Sequence, residues 1–510
     1  MSESTIDGGD FLAGYAAEEG RQAKAEQYRR AQGETAETSK KARREKLNGE
    51  RKRKVDDLSA SLGIKQERAE AMLVPGRDAE TVYAINEDNL ARVFSDQFAD
   101  RLRFSHDRAR WFTWDDTRWR EETTDTAFDW ARQLCRSLNL EGKRLWAKAS
   151  TAAAVERFAR ADRTFAMRGD EWDADPLLLN TPGGTVDLRT GKLRDAMQED
   201  LITRSTLVAP EEGEPTLWRL FLEQVTQKDK ELEQFLRQVA GYALTGLTRE
   251  ECLFYFYGPG GNGKGTLIGA LHEILGDYAS SAAMDTFLQT KFERHSTDLA
   301  MLRGTRLVIA SETQHGRAWD EQRVKSLTGG DVITARFMRQ DNFSYKPSFK
   351  LLLFGNHKPV LRTVDDAWRR RFYILPFAFK PLKPDNTLKE RLRKEYPQIL
   401  QWAIDGCLDW QQNGLRLPAR VKAETEGYFV SQDQFGAWLE ERCEIDPTAA
   451  TTNTHLFESW KAFSEAAGEH PGTARSLTDR LSEHGFRRIK DELGIRGRGF
   501  AGLRIKNMQQ

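Results

Sequence analysis

The sequence predicts an α/β protein whose parallel sheet carries a phosphate-binding loop, and three observations lead there. Leu253 to Tyr257, LFYFY, has the length and apolar content of a buried strand. It runs directly into Gly258-Pro-Gly-Gly-Asn-Gly263-Lys264, which fits the G-x-x-x-x-G-K half of a P-loop. Leu267, Leu271, Ile274 and Leu275 then recur on one helical face before Gly276 stops the helix.

In such a strand–loop–helix unit, Gly258, Gly260, Gly261 and Gly263, with Asn262 among them, let successive backbone N–H groups point at phosphate oxygens. The helix N-terminus adds its dipole, and Lys264 is spaced to reach the β- and γ-phosphates. The residue after the lysine is ordinarily the Ser or Thr that holds Mg²⁺. Here it is Gly265, and the hydroxyl comes one place later at Thr266. A nucleotide with Mg²⁺ is the expected cofactor, Thr266 and a downstream acid, Glu312, being the candidate metal ligands.

That acid closes a second apolar run, Arg306-Leu-Val-Ile-Ala-Ser-Glu312, expected beside the loop strand with its terminal carboxylate facing the metal and the attacking water. A third run, Phe349 to Phe354, ends in Gly355-Asn356, an amide placed to orient that water. A fourth, Phe372 to Leu375, follows Asp366-Ala-Trp-Arg369-Arg370-Arg371 and stops at Pro376. Between the acid and the amide, Gly329-Gly330-Asp331 turns the chain, and Ile333 to Met338 and Phe343 to Lys346 read as a hairpin. Its Arg336, Arg339 and Lys346 suit a phosphate backbone.

Upstream, RWFTWDDTRW, residues 110–119, alternates as a hairpin does, with core packing the first explanation for its tryptophans and base stacking the second. Residues 125–165 look helical. Trp172 to Leu193 is rich in β-turn signals, and Leu217 to Leu244 reads as a helical collar. From about residue 430, helices are followed by Arg487-Arg488-Ile-Lys490 and by a run from Arg496 to Lys506, two basic strands about a turn. This pattern fits a winged-helix module binding DNA through Arg498 and Lys506, or else a small helical lid with ordinary surface charge.

The 510 residues hold 78 Lys/Arg against 78 Asp/Glu, so no whole-molecule field selects a partner. The balance conceals a basic stretch from Arg21 to Lys54, thirteen Lys/Arg against five Glu, which is either a solvated disordered tail or a nucleic-acid arm. Cys135, Cys252, Cys407 and Cys443 are too scattered for a disulfide framework or a zinc site. Neither a signal-peptide pattern nor an apolar run of about 18 residues occurs, so a soluble protein of the bacterial host cytoplasm is expected, with no membrane partner.

Taken in order, RWFTWDDTRW, DPLLLNTPGGTVDLRTGKL, GPGGNGKGT, LRGTRLVIASE, KSLTGGDVITARFMRQDNFSYKP, KLLLFGNHKP and DDAWRRRFYILPF resemble the phage and plasmid primase C-terminal helicases. These form a branch of superfamily 3 that includes the poxvirus primase-helicase, and the resemblance covers residues 85–510. It implies an AAA+-type ATPase core, a homo-oligomer that is usually a hexamer, and ATP-driven 3′ to 5′ movement on single-stranded DNA. It assigns Lys264 to Walker A, Glu312 to Walker B, Lys325 to the family's extra B′ motif and Asn356 to sensor 1. The 333–346 hairpin becomes the central pore element, and Arg370 or Arg371 the arginine finger. GKGT also occurs in this branch.

The organisation expected is a basic tail (1–78), a mixed α+β domain (79–215), a collar (216–250), the ATPase core (251–415) and a winged-helix module (416–510). The tail is too short and too charged to be the primase of many relatives, so a separate primase or polymerase is an expected partner beside single- and double-stranded DNA. The rivals are an origin-binding initiator using ATP only as an assembly switch, and a small-molecule P-loop kinase, which the basic hairpin and triple arginine disfavour.

Overall fold

The computed structural model describes residues 87–137, 146–290, 297–311, 317–339, 341–362, 364–467 and 471–506, with scattered positions between Lys24 and Glu70. Most of the basic N-terminal stretch, and Glu312, lie outside the described residues. The chain forms two compact units that divide at Trp172.

The first unit contains α1 (Glu87–Phe98), β1 (Leu102–Ser105), β2 (Arg110–Trp114), β3 (Trp119–Glu121), α2 (Thr126–Ser137), α3 (Ala149–Ala161) and β4 (Ala166–Met167). Its sheet runs β3-β2-β1-β4, with β2 and β3 antiparallel in the register Trp114↔Trp119. Trp111, Phe112 and Trp119 are buried, and the Trp111 indole N–H donates to Glu156 Oε1 at 2.6 Å. The aromatic hairpin is core, as a half-buried alternating strand pair requires.

The second unit opens with the antiparallel meander β5 (Leu178–Thr181), β6 (Gly184–Asp187) and β7 (Lys192–Arg194), then α4 (Thr216–Val225) and α5 (Lys230–Leu244). Five strands follow in one parallel sheet: β8 (Leu253–Tyr257), β9 (Ala279–Ser281), β10 (Leu307–Ser311), β13 (Lys350–Gly355) and β14 (Phe372–Pro376), in spatial order β14-β8-β13-β10-β9. Successive side chains of β8 serve opposite faces. Phe254 and Phe256 join the core packed by α4, α5, α6 (Lys264–Leu275) and α10 (Tyr396–Asn413). Leu253 and Tyr255 join the core of α7 (Glu321–Thr328), α8 (Asp366–Arg369) and α11 (Ala419–Gln432). Apolar runs without alternation are what a parallel sheet buried on both faces demands.

One expectation is corrected. β10 does not lie beside β8, because β13 pairs with both, Leu351↔Leu253 on one side and Leu307↔Lys350 on the other. Strand order is a long-range property that apolar content does not encode.

Two buried cations fasten the sheet to α5. Arg306 donates 2.7 Å hydrogen bonds to the Leu244 and Leu178 carbonyls, and Lys350 donates to the Thr245 carbonyl. They satisfy acceptors at the helix C-terminus, where positive charge is favoured. Burial pushes the Lys350 pKa well below the usual lysine range and lowers that of Arg306.

The remaining elements are the two-stranded β11 (Ile333–Ala335) and β12 (Phe343–Tyr345), α9 (Leu388–Arg393), and a C-terminal group. That group comprises α12 (Gln434–Arg442), β15 (Cys443–Thr452), α13 (Asn453–Ala466), α14 (Ala474–Glu483), β16 (Arg487–Lys490) and β17 (Arg498–Ile505). Its sheet has β17 in the centre, so β15 adds a third strand to the two expected from sequence. β15 escaped notice because CEIDPTAATT carries Pro447 and a register shift between Ile445 and Ala450, both tolerated at an edge. Phe435, Trp438, Leu456, Trp460, Leu477 and Leu503 pack together beneath it.

Candidate functional site

Ligands of open parallel sheets bind beyond the carboxyl ends of the strands, and there a cleft of about 1050 Å³ opens over β8, β10 and β13. Gly260 to Thr266 line it, with Ser311 at the end of β10 and Asn356 just past β13. Its apolar wall is Leu217, Leu220 and Phe221 of α4, facing the segment from Phe379 to Leu388. Leu220 is 52% exposed, a large apolar side chain turned to this opening.

The loop is shaped by its glycines. Gly258 has φ +155°, and a Cβ there would stand 2.0 Å from the Phe377 carbonyl oxygen. The same carbonyl accepts a hydrogen bond from the Asn262 side-chain amide, which ties the loop to the end of β14. Gly263, at φ +92°, would drive a Cβ to 2.6 Å from Val225 of α4. Both positions need glycine.

Lys264 is buried at the first turn of α6, and its Nζ donates to the Gly258 carbonyl (2.6 Å), the Pro259 carbonyl (3.0 Å) and Asn262 Oδ1 (3.0 Å). Asn356 Oδ1 lies 3.4 Å away. Burial lowers its pKa from 10.5 to about 8. A partly desolvated ammonium, ringed by neutral acceptors at a helix N-terminus, fits a polyphosphate, which would supply the charge these carbonyls lack. Thr266 borders the same cleft, and Ser311 puts the end of β10 there. Among the described residues no cluster of three or more His, Cys, Asp or Glu forms a metal site.

Gly265 differs from its neighbours. It lies within α6, and the nearest atom a Cβ would meet is Phe354 Cε2 at 4.0 Å. Gly265→Ser is therefore expected to fold normally and, on the expectation that this loop serves an ATPase, to turn over ATP at least as fast as the parent. A loss beyond about tenfold at unchanged thermal stability, in steady-state ATPase assays, would show that glycine's backbone freedom is needed there.

The other candidates separate into groups. Lys325 is not among the residues lining the cleft and pairs with Asp365 Oδ2 at 2.5 Å. Asp365 is in turn the N-cap of α8, accepting from the Trp368 N–H at 2.9 Å. Lys325 thus fixes the helix that carries the arginines. Arg369 is held by Glu426 at 2.6 and 2.7 Å. Arg371 is buried, donating to Glu251 Oε2 at 2.6 Å and the Ala367 carbonyl at 3.1 Å. Arg370 is exposed and, among the described residues, makes no side-chain hydrogen bond or ion pair.

Arg336, Arg339 and Lys346 are exposed on or beside the β11–β12 hairpin. Arg498 and Lys506 are not neighbours: they stand at opposite ends of β17, roughly 26 Å apart at about 3.3 Å per residue. Lys506 Nζ donates to the Glu440 carbonyl at 2.5 Å, whereas Arg498 shares its end of the sheet with Lys490. Arg487, Arg488 and Arg504 are paired with Glu492, Asp479 and Glu444. Sequence reasoning missed the α4 wall of the cleft. Its signal was an apolar LWRLFL at the start of the collar, richer in leucine than one packing face requires.

Two family models match the chain: "D5 N terminal like" over residues 91–227, and a family of unknown function (DUF5906) over residues 256–371. A protein of Acanthamoeba polyphaga mimivirus, "Putative helicase L207/L206", is 30% identical over 253 residues, 47% of this chain and 26% of its own length. "Putative helicase 022R" of Frog virus 3 is 23% identical over 329 residues, 58% of this chain and 34% of its own. "Putative primase C962R" of African swine fever virus is 24% identical over 344 residues, 61% of this chain and 35% of its own. The chain thus spans about a quarter to a third of these relatives. A solved structure, "The apo structure of NrS-1 C terminal region (305-718)", aligns with a TM-score of 0.48 at 12% identity, covering 82% of this chain and all of that one. No described helix is long and apolar enough to cross a membrane.

Proposed function

We propose that the chain, similar to D5-like primase-helicases, is an ATP-driven DNA helicase serving replication of a phage, plasmid or other mobile element. The observation that carries the reading is Lys264: a buried ammonium in a glycine loop between β8 and α6, with Asn356 at its side. In this reading the loop and Lys264 hold the ATP phosphates, and the α4 wall with residues 379–388 takes the base. Thr266 and Glu312 hold Mg²⁺, which offsets charge on the transferred phosphoryl group when bound. Glu312 and Asn356 orient the attacking water.

The wider assignment follows from the same parts. An AAA+-type P-loop core is supported by five parallel strands in which β13 brings Asn356 next to the loop strand. A ring, with six copies as the family's usual number, gives exposed Arg370 a neighbour's γ-phosphate to reach. The β11–β12 hairpin contacts single-stranded DNA, and the C-terminal sheet, read as a winged helix, contacts duplex through the Lys490–Arg498 end.

A strand-displacement assay with ATP and forks bearing either a 3′ or a 5′ tail tests this. Unwinding that needs ATP and a 3′ tail is expected. ATP-dependent assembly on duplex with no displacement and no DNA-stimulated turnover would favour the alternative, an ATP-switched initiator.

A further inference from the structure

The β11–β12 hairpin exposes more than charge. Its inward side chains, Ile333, Ala335 and Tyr345, are buried, and the Tyr345 hydroxyl donates to the Leu299 carbonyl at 2.5 Å. Beyond them the chain reads Arg336-Phe-Met-Arg339, with Phe337 37% and Met338 77% exposed. Phe337 stacks on Phe343 across the hairpin, centroids 5.6 Å apart and planes 26° from parallel, and the Arg303 guanidinium lies 5.1 Å from the Phe343 ring centre. Arg339 turns the tip at φ +62°.

Resting on the reading that this chain handles single-stranded DNA, we propose that the tip contacts nucleobases, with a base stacking on Phe337 beside Met338 while Arg336, Arg339 and Lys346 hold the phosphates. A hairpin that gripped only the backbone would need cations and no exposed aromatic ring. Stacked rings flanked by cations are the combination that holds a single strand, because every base offers a π-face and every step a phosphate. Charge selects this occupant over an apolar peptide: from Ile333 to Lys346 there are three cations against one acid, Asp341. Among the described residues, Arg336, Arg339 and Lys346 have no ion pair that would neutralise them.

The test compares oligo-dT with an abasic oligonucleotide of equal length, by fluorescence anisotropy on the full chain. The parent is expected to prefer oligo-dT by at least about fivefold. Phe337→Ala should bring that ratio close to one without altering abasic affinity, and Phe337→Tyr should keep it. Arg339→Ala should instead weaken both probes equally and lower the log–log salt slope by about 0.7. A ratio unchanged in both Phe337→Ala and a Phe337→Ala/Met338→Ser double variant overturns the proposal, as does a parent that binds both probes equally, although DNA binding as such then stands. If Phe337→Ala alters only the sedimenting mass, the tip is a contact between copies and the proposal fails. A parent that binds neither probe removes the helicase reading as well.

Discussion

Lys264→Ala should weaken ATP binding roughly ten- to a hundredfold and take DNA-stimulated hydrolysis to background. The side chain removed is an ammonium at a helix N-terminus, and hydrogen bonds to charged groups contribute about 1.5–3 kcal/mol. A pH arm separates this charge from a packing role. Burial holds the free lysine at about 8. A bound polyphosphate favours the ammonium, so above that pH the complex carries more protons than the free chain. Affinity is then full below about pH 8 and falls as pH rises through it, by up to about tenfold per unit. Equilibrium titration with a fluorescent ATP analogue between pH 6.5 and 9.5 (roughly the span over which such a group titrates) reads this directly. Lys264→Ala should lose the slope along with the affinity. A variant that binds ATP like the parent removes Lys264 from the phosphate site, whereas a parent whose affinity does not change with pH shows that the free lysine stays charged across this range.

What was legible in the sequence was local. LFYFY, the glycine run and the 267–275 spacing define strand, loop and helix to within a residue, because period, φ-permissive residues and a C-terminal glycine all act over a few positions. The hairpin at Trp114–Trp119 was legible for the same reason. Strand order was not: LVIAS and KLLLF are both buried on two faces, and nothing in either says that β13 is the one to pair with β8. Arg306 and Lys350 read as polar flanks of apolar strands, yet each is buried against the carbonyls ending α5, a partner some sixty to a hundred positions away. The cluster Arg369-Arg370-Arg371 posed a third kind of limit. Successive residues on a helical turn point about 100° apart, so three identical letters meet three different surroundings: Glu426 holds Arg369, Glu251 holds Arg371, and Arg370 is exposed without a side-chain partner among the described residues.

Those different surroundings make Arg370 and Arg371 separable. Arg370→Ala is expected to leave thermal stability unchanged and to lower ATP turnover by about a thousandfold or more, the usual worth of an arginine finger. It is exposed and uncommitted among the described residues, so its removal should cost the fold little and, in the proposed ring, deprive a neighbour's γ-phosphate of its counter-charge. Arg371→Ala should behave differently. It breaks the contacts to Glu251 and the Ala367 carbonyl at the start of β14, next to a strand paired with β8, and should destabilise the unit by about 1–3 kcal/mol. Its loss of turnover should track its loss of folded protein. If the finger acts across subunits as proposed, mixing Arg370→Ala chains with Lys264→Ala chains should restore part of the ATPase. In one of the two orientations, a mixed interface pairs the intact Lys264 of one chain with the intact Arg370 of the other. Mixtures containing Arg371→Ala should recover only as much as that variant's remaining folded fraction allows. Recovery confined to Arg371→Ala mixtures would transfer the role to that residue. Rings that form yet recover in no mixture would mean that the cluster acts within its own subunit.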